Sequence, residues 1–276
     1  MKHMKLLAGL AVAAALSTPA LAQVNLTAET ANANGVPGNT VLALGEFANA
    51  AGVANVQVAT GQTLTNSIQN VAEGKTDISA APFILPFLLS RGVGPYAKLG
   101  KDTGAEYADR LSVLYTYRLG VFTLSAYNSS SVKGWDSLEG KTIYNGPPRG
   151  AALTNARGVV KLATGLGDGE GYTGVQVNWD QAVKTMTDGS ADAFVLPSSF
   201  PDGRHTAAVA SGGITMWSMP KAAFESDATQ KYMKAPGSGK VDIPLSEAIQ
   251  PEGVNVVSED GRFRGVATVG GEVVRK

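Results

Sequence analysis

The sequence predicts an α/β protein built as two similar lobes. Three observations carry that expectation: an export-type start, a strand–helix unit that occurs twice, and β-rich runs set between the copies. The start comes first because it fixes what has to fold. Lys2, His3 and Lys5 precede an apolar run from Leu6 to Leu16, which Ser17, Thr18 and Pro19 break before Ala20-Leu21-Ala22. Small residues at those last positions suit a signal peptidase, so cleavage is expected after Ala22, with the mature chain released to the periplasm. The apolar run is shorter than the ~20 residues a membrane span needs. What remains is long enough for two lobes of roughly 100–150 residues each.

Composition narrows the function classes. The chain has no cysteine, so its core alone must stabilise it and no lipid-modified cysteine can tether it. It carries 23 basic and 23 acidic residues, and losing Lys2 and Lys5 leaves it slightly acidic. That balance gives no electrostatic footprint for nucleic acid or an anionic membrane. A monomer that binds no nucleic acid and no cofactor is expected.

The repeat is the main signal. Val56-Gln57-Val58 reads as a strand and Leu64 to Ala72 as a helix with Leu64, Ile68 and Val71 on one face. Glu73-Gly74-Lys75-Thr76-Asp77-Ile78 and Ala81-Pro82 follow. The same grammar returns with strand Val175-Gln176-Val177 and helix Asp180 to Thr187, with Ala182, Val183 and Met186 inward. Asp188-Gly189-Ser190-Ala191-Asp192-Ala193 and Leu196-Pro197 then close the second copy. In each copy the glycine suits a left-handed helix end, and the aspartate opens a strand that returns parallel to the first.

Between the copies, Leu111 to Tyr117 and Val121 to Tyr127 are β-rich runs, followed by a polar turn over Asn128 to Ser131. Ser137 to Tyr144 reads as a short helix, a Gly-Lys turn and a strand. Asn145-Gly146-Pro147-Pro148-Arg149-Gly150 is a stiff loop, and a helix opens over Ala151 to Ala163. Gly165 to Gly174 is a glycine-rich connector. Ile214 to Met219 is a strand candidate and Phe224 to Met233 a helix. The expected division is a leader over 1–22, one lobe over 23–120, a second over 121–220, and a return toward the first lobe and hinge over 221–276.

Catalytic motifs fail on inspection. The mature chain has one histidine, His205, which sits beside Arg204 in a polar stretch and reads as a surface residue. No G-x-S-x-G nucleophile turn occurs, and no carboxylate cluster has metal-ligand spacing. Gly169 to Gly174 spells G-x-G-x-x-G, but it follows a helix and precedes a strand, the reverse of the dinucleotide context. Gly237-Ser238-Gly239-Lys240 resembles a phosphate loop only in part, since Lys234 and Val241 occupy positions that need other residues.

Binding is better supported. Loops after three strands, at Asn32 to Asn39, Thr60 to Thr65 and after Tyr144, point the same way in a parallel architecture, where ligands occupy the crevice at the strand ends. Helix starts there suit an anion. The candidates are Asn34, Thr60, Gln62, Thr63, Arg118, Asn145, Arg149, Ala151, Thr154 and Ser198. The hydroxyls and amide of Thr60, Gln62 and Thr63 serve either a ligand or plain helix capping. Arg149, stiffened by two prolines, either pairs bidentately with a carboxylate or is a solvated surface arginine. Arg118 sits either at a strand end facing the cleft or at a turn. Tyr144, Trp179 and Phe200 either line the cleft or belong to the core.

These stretches carry a resemblance. Ala59 to Asn66 with Glu73 to Ile78 resembles the signature of TAXI proteins, solute-binding subunits of one class of tripartite ATP-independent periplasmic (TRAP) transporters. Ser137-Leu138-Glu139-Gly140-Lys141 is similar to a hallmark shared more widely among type II periplasmic binding proteins. Asp188 to Pro197 resembles the matching unit of the second lobe. The resemblance implies a type II Venus-flytrap of two α/β lobes that closes on a small organic anion, of the dicarboxylate or acidic amino acid class, and delivers it to TRAP membrane permease subunits. It places ligand loops at Asn34 and its neighbours, Thr60 to Thr63, and Asn145 to Thr154. Asn32 to Gly38 has fewer glycines than the family's turn, and family members continue past Val266 to Val274 into further helices, so the resemblance implies a chain that stops early at Lys276. An ATP-driven importer's subunit for a small anion or thiamine-like precursor is the neighbouring alternative, and a periplasmic enzyme on the same scaffold is the alternative from another class.

Overall fold

The computed structural model describes residues 23–276. The leader expected over 1–22 and its cleavage site after Ala22 lie outside them. The chain first lays down β1 (Val24–Glu29), α1 (Val36–Ala50), β2 (Ala54–Ala59), α2 (Leu64–Glu73) and β3 (Ile78–Pro82). β2 and β3 flank β1, both parallel to it. Helices α3 (Ile84–Arg91) and α4 (Gly100–Asp109) then lead into the long strand β4 (Leu111–Tyr127).

The second copy follows with the same order: β5 (Thr142–Tyr144), α5 (Ala151–Thr164), β6 (Thr173–Val175), α6 (Ala182–Thr187) and β7 (Ala193–Ser198). Again the first strand is central, with β6 and β7 parallel on its two sides. The repeated aspartates explain why the motif recurs. Asp77 Oδ2 accepts from the Thr27 amide at 2.7 Å and from its hydroxyl at 2.9 Å, pinning the third strand to the first. Asp192 Oδ2 accepts from the Thr142 amide at 2.8 Å, and in both copies the two partners lie 50 residues apart. Each aspartate's own N–H donates back to the same threonine's carbonyl. The preceding helix ends as the glycines require, with Gly74 at φ 75° and Gly189 at φ 75°.

The chain then runs through α7 (Gly203–Ala208), β8 (Ile214–Trp217), α8 (Lys221–Glu225), α9 (Asp227–Tyr232), β9 (Ser238–Pro244) and β10 (Val254–Val257) into a second long strand, β11 (Arg262–Arg275). β4 and β11 lie antiparallel and join the two lobes into one sheet, ordered β2-β1-β3-β11-β4-β7-β5-β6. The later part of β11 pairs with β3, and the later part of β4 pairs with β7 and β8. The two β-rich runs expected around Arg118 are therefore one strand. Gly120, at φ 152°, lets it pass the β7 backbone, where a Cβ would sit 3.0 Å from the Pro197 carbonyl carbon. The result is a mixed α/β protein of two lobes sharing crossover strands.

Each lobe has its own core. Ile68 and Val71 of α2 are fully buried, as the helical spacing requires, and Ile68 packs with Leu85, Leu89 and Tyr96. Ile143 of β5 packs with Val159, Val160 and Leu138. Three boundaries differ from expectation. The sixth strand covers Thr173–Val175, because Val177 N–H turns to the Gly146 carbonyl and leaves the ladder. The expected helix at Asp180 begins as a tighter turn over Trp179–Gln181 before α6. The helix expected over Phe224 to Met233 is split, since Ser226 caps α9 through its hydroxyl. No helix among the described residues is long and apolar enough to cross a membrane.

Candidate functional site

The ends of the parallel strands face a cleft of about 810 Å³ of atom-free space, part of it open to solvent. The first copy contributes the segment after β1 (Asn32 and Gly35 to Pro37), the residues entering α2 (Thr63 to Thr65) and Leu85 after β3. The second contributes Arg149 to Ala152 before and in α5, Trp179 after β6, and Pro197 and Arg204 around β7. The crossover strands close the floor with Leu119, Phe122 and Thr268.

The two lobes touch across this space. Asn32 Nδ2 donates to the Trp179 carbonyl. Gly203 packs against the Asn34 carbonyl so closely that a Cβ there would come within 2.6 Å of it. The lobes thus meet through one side-chain-to-backbone bond and one close backbone approach at a glycine.

The charge in the cleft comes from two arginines in different states. Arg204 is 4 % exposed and Asp202 is 2 % exposed. Asp202 is the N-cap of α7, accepting from the amides of Arg204 and His205, and its carboxylate also accepts from Arg204 Nε at 3.3 Å and Nη2 at 2.9 Å. Nη2 donates in addition to the Pro197 carbonyl, and the guanidinium lies 5.5 Å from the Trp179 ring. Burial alone would push the Asp202 carboxyl up; the Arg204 charge and the hydrogen bonds overturn that and hold it down at about 2. Arg149, by contrast, is exposed and makes no hydrogen bond or ion pair among the described residues.

Of the ten residues singled out by sequence, the structure brings Thr63, Arg149 and Ala151 to the cleft wall. Thr63 caps α2 in position only: its hydroxyl makes no capping bond, which leaves it available to a ligand. Asn34 lies just outside the lining, its amide donating to Asn32 Oδ1 at 2.7 Å, so Asn32 takes the wall position. Thr60 and Gln62 are exposed and bond to each other, Gln62 Nε2 to the Thr60 carbonyl at 3.2 Å. Arg118 is exposed and outside the lining, while its neighbour Leu119 lines it. Asn145 is fully buried, locked between Gln176 Nε2 at 2.8 Å and Asp168 Oδ2 at 3.3 Å. Thr154 bonds back to the Gly150 carbonyl, and the next residue, Asn155, lines the cleft. Ser198 is buried against the Thr123 hydroxyl at 2.9 Å. Of the three aromatics left open, Trp179 lines the cleft, Tyr144 is core, and Phe200 packs edge-on against Phe263.

One sequence expectation is corrected outright. His205 is not a surface residue: it is 3 % exposed, with Nε2 3.0 Å from the Ser125 hydroxyl and Nδ1 3.4 Å from Gln250 Oε1. Burial pulls its pKa down, favouring the neutral ring. The cause is the Asp202 cap, which starts α7 at Gly203, within the stretch that reads as polar, and turns both Arg204 and His205 inward. The same cap hides Arg204 from the sequence pattern. An aspartate followed by a short helical stretch is an N-terminal signal, and it was available at Asp202-Gly203-Arg204.

The chain matches no family model and no curated protein. Among solved structures it is similar to the periplasmic aliphatic sulphonate binding protein SsuA of Escherichia coli, at 12% identity and a TM-score of 0.42 over 69% of this chain and 58% of that one. It is similar to the alkanesulfonate-binding protein SsuA of Xanthomonas axonopodis pv. citri bound to MOPS, at 16% identity and TM-score 0.43 over 63% and 54% of the two chains. A TRAP periplasmic solute binding protein of Chromohalobacter salexigens with bound (S)-(+)-2-amino-1-propanol gives 10% identity and TM-score 0.47 over 92% and 68%. The chain spans less than two thirds of the length of either sulfonate-binding protein.

Proposed function

We propose that the chain is a periplasmic solute-binding protein that captures a small organic anion and hands it to TRAP-type permease subunits. The observation that carries the reading is Arg149: an arginine with no partner among the described residues, at the wall of a cleft between two α/β lobes, beside the ends of parallel strands. A crevice at that place in a parallel sheet is where ligands bind. A guanidinium with all its donors available suits a carboxylate or sulfonate. The resemblance of Ala59 to Asn66 and Glu73 to Ile78 to TAXI proteins supplies the TRAP assignment, and no constellation with the geometry of a catalyst lines the cleft. His205 pairs with Ser125 away from the wall, buried and held as scaffold.

Thermal unfolding in the presence of carboxylates, sulfonates, keto acids and amino acids tests this. At least one organic anion should raise the melting temperature by linkage. Arg149→Ala should weaken its binding by about 1.5–3 kcal/mol, the range for a hydrogen bond to a charged group, and leave the unliganded chain's melting temperature unchanged. A chain stabilised by no organic anion would overturn the reading.

A further inference from the structure

Resting on that reading, we infer that the ligand is a monoanion with an apolar body, a narrower class than the dicarboxylates and acidic amino acids the sequence resemblance implies. The first reason is the charge balance of the wall. Arg149 and Arg204 are the charged residues lining the cleft. Arg204 arrives neutralised: Asp202 takes its Nε and one Nη2 hydrogen, and the Pro197 carbonyl takes Nη2 as well. One uncompensated positive charge is left, that of Arg149. A dianion enclosed there would keep one charge without a counter-ion, which is unfavourable in a partly desolvated site.

The second reason is the absence of a partner for an ammonium group. Among the described residues no aspartate, glutamate or histidine lines the cleft. Asp202 is committed behind Arg204, and Asp180, next to Trp179, is exposed and outside the lining. An α-amino acid would bring a positive charge into a wall that already holds a net positive one.

The third reason is the rest of the wall. Leu85, Leu119, Phe122 and Trp179, with Val36 and Leu64, present apolar surface that a hydrocarbon or aromatic body covers favourably. Arg204 adds one feature. Its Nη1 hydrogens have no partner among the described residues, while Nε and Nη2 are occupied, so a neutral arginine–aspartate unit still offers donors to the wall. Those donors suit a second oxygen of the same acid group, or a keto or hydroxyl oxygen on the body, without asking for a second negative charge.

Isothermal titration of the full chain at pH 7.5 and constant ionic strength with four matched six-carbon probes tests the class. Hexanoate is the monoanion, adipate the dianion, norleucine the zwitterion and hexan-1-ol the neutral body. Hexanoate should bind about tenfold or more tightly than each of the others, the factor that ~1.4 kcal/mol represents. Arg149→Gln should remove most of that preference over hexan-1-ol. Adipate or norleucine binding as tightly as hexanoate would overturn the monoanion class while leaving an anion-binding protein in place. Hexan-1-ol matching hexanoate, or an Arg149→Gln chain that keeps the preference, would overturn the role of Arg149 in it. If no organic anion of any class bound, the failure would be that of the solute-binding reading itself.

Discussion

The two copies of the β-α-β-α-β unit share a frame and differ in what they hang on it. In both, the first strand is central, the second and third flank it in parallel, and an aspartate pins the third to a threonine of the first. Their loops diverge. The first copy gives the cleft uncharged groups: Asn32, Thr63, Thr65 and aliphatic side chains. The second gives it both arginines and the tryptophan. A duplicated scaffold therefore does not imply duplicated chemistry. On the proposed function, the second lobe would hold the charged end of a ligand and the first would shape the space around its body; Asn32 already reaches across to the Trp179 carbonyl.

The asymmetry is deepest after the third strand of each copy. Beyond β3 the chain enters α3 through Phe83 and Ile84, with no ion pair, whereas beyond β7 it buries Asp202 with Arg204. Breaking that pair from one side should be the largest single effect in the molecule. Asp202→Ala leaves a buried guanidinium uncompensated and removes the α7 cap, and should cost about 3–5 kcal/mol in urea unfolding. The double change Asp202→Ala with Arg204→Met should recover much of the loss, because a buried pair replaced by apolar groups is often close to neutral. A cost under about 1 kcal/mol for the single change would mean that Arg204 finds its compensation elsewhere.

Comparing the copies also shows what the sequence exposes and what it hides. Glu73 to Ile78 and Asp188 to Ala193 match in sequence because the pinning aspartate, the helix-end glycine and the strand that follows are fixed by local geometry. The buried face of α2 was legible for the same reason: Ile68 and Val71 follow helical spacing. What stayed hidden depends on contacts between distant segments. Arg118-Leu119-Gly120 looks like a break between strands, but β11 pairs with β4 on both sides of it across a one-residue shift at Leu119, and β7 joins from Val121 onward. Asn145 looks like a loop ligand until Asp168 and Gln176 are found to claim its amide. Arg204 and His205 look solvated because neither burial nor the ion pair follows from a Pro-Asp-Gly-Arg-His string. The cleft position of Arg149 is legible from the two prolines that stiffen its loop, whereas Arg204 is obscured where a capped helix folds charge inward.

The pins offer a direct test of whether the shared frame is energetically shared. Asp77 is exposed, and the Thr27 amide it serves can turn to water, whereas Asp192 is partly buried beside Thr142. Asp77→Ala should cost about 1 kcal/mol and Asp192→Ala about 2, since leaving a buried donor unsatisfied costs more than losing an exposed bond. Chemical denaturation of the two variants reads the difference. A larger cost at Asp77 would mean that its second bond, to the Thr27 hydroxyl, outweighs burial.

The smallest expected effect lies on the crossover strand β11, whose two halves treat buried charge in opposite ways. On the half that pairs with β9, Arg264 is 5 % exposed and paired with Asp260 at 2.8 and 2.9 Å. On the half that pairs with β3, Glu272 is fully buried and forms no ion pair among the described residues. One of its oxygens accepts from the Tyr117 hydroxyl at 2.7 Å and the Thr40 hydroxyl at 2.9 Å, and the other has no partner. Burial raises its pKa above the ordinary 4.5. The folded chain therefore keeps a proton there over a range of pH in which the unfolded chain has lost it. That proton's contribution is fully present below about 4.5 and is lost as pH rises through the folded-state value. At pH 8, well above 4.5, the folded chain bears the full cost of burying this ionisable group without a cation, and Glu272→Gln should raise the melting temperature by about 2–4 °C, as ~1 kcal/mol does for a chain of this size. At pH 4 the gain should vanish, because the native side chain is then neutral as well. An equal gain at both pH values would place the benefit in packing and would leave the two halves of β11 alike in how they carry charge.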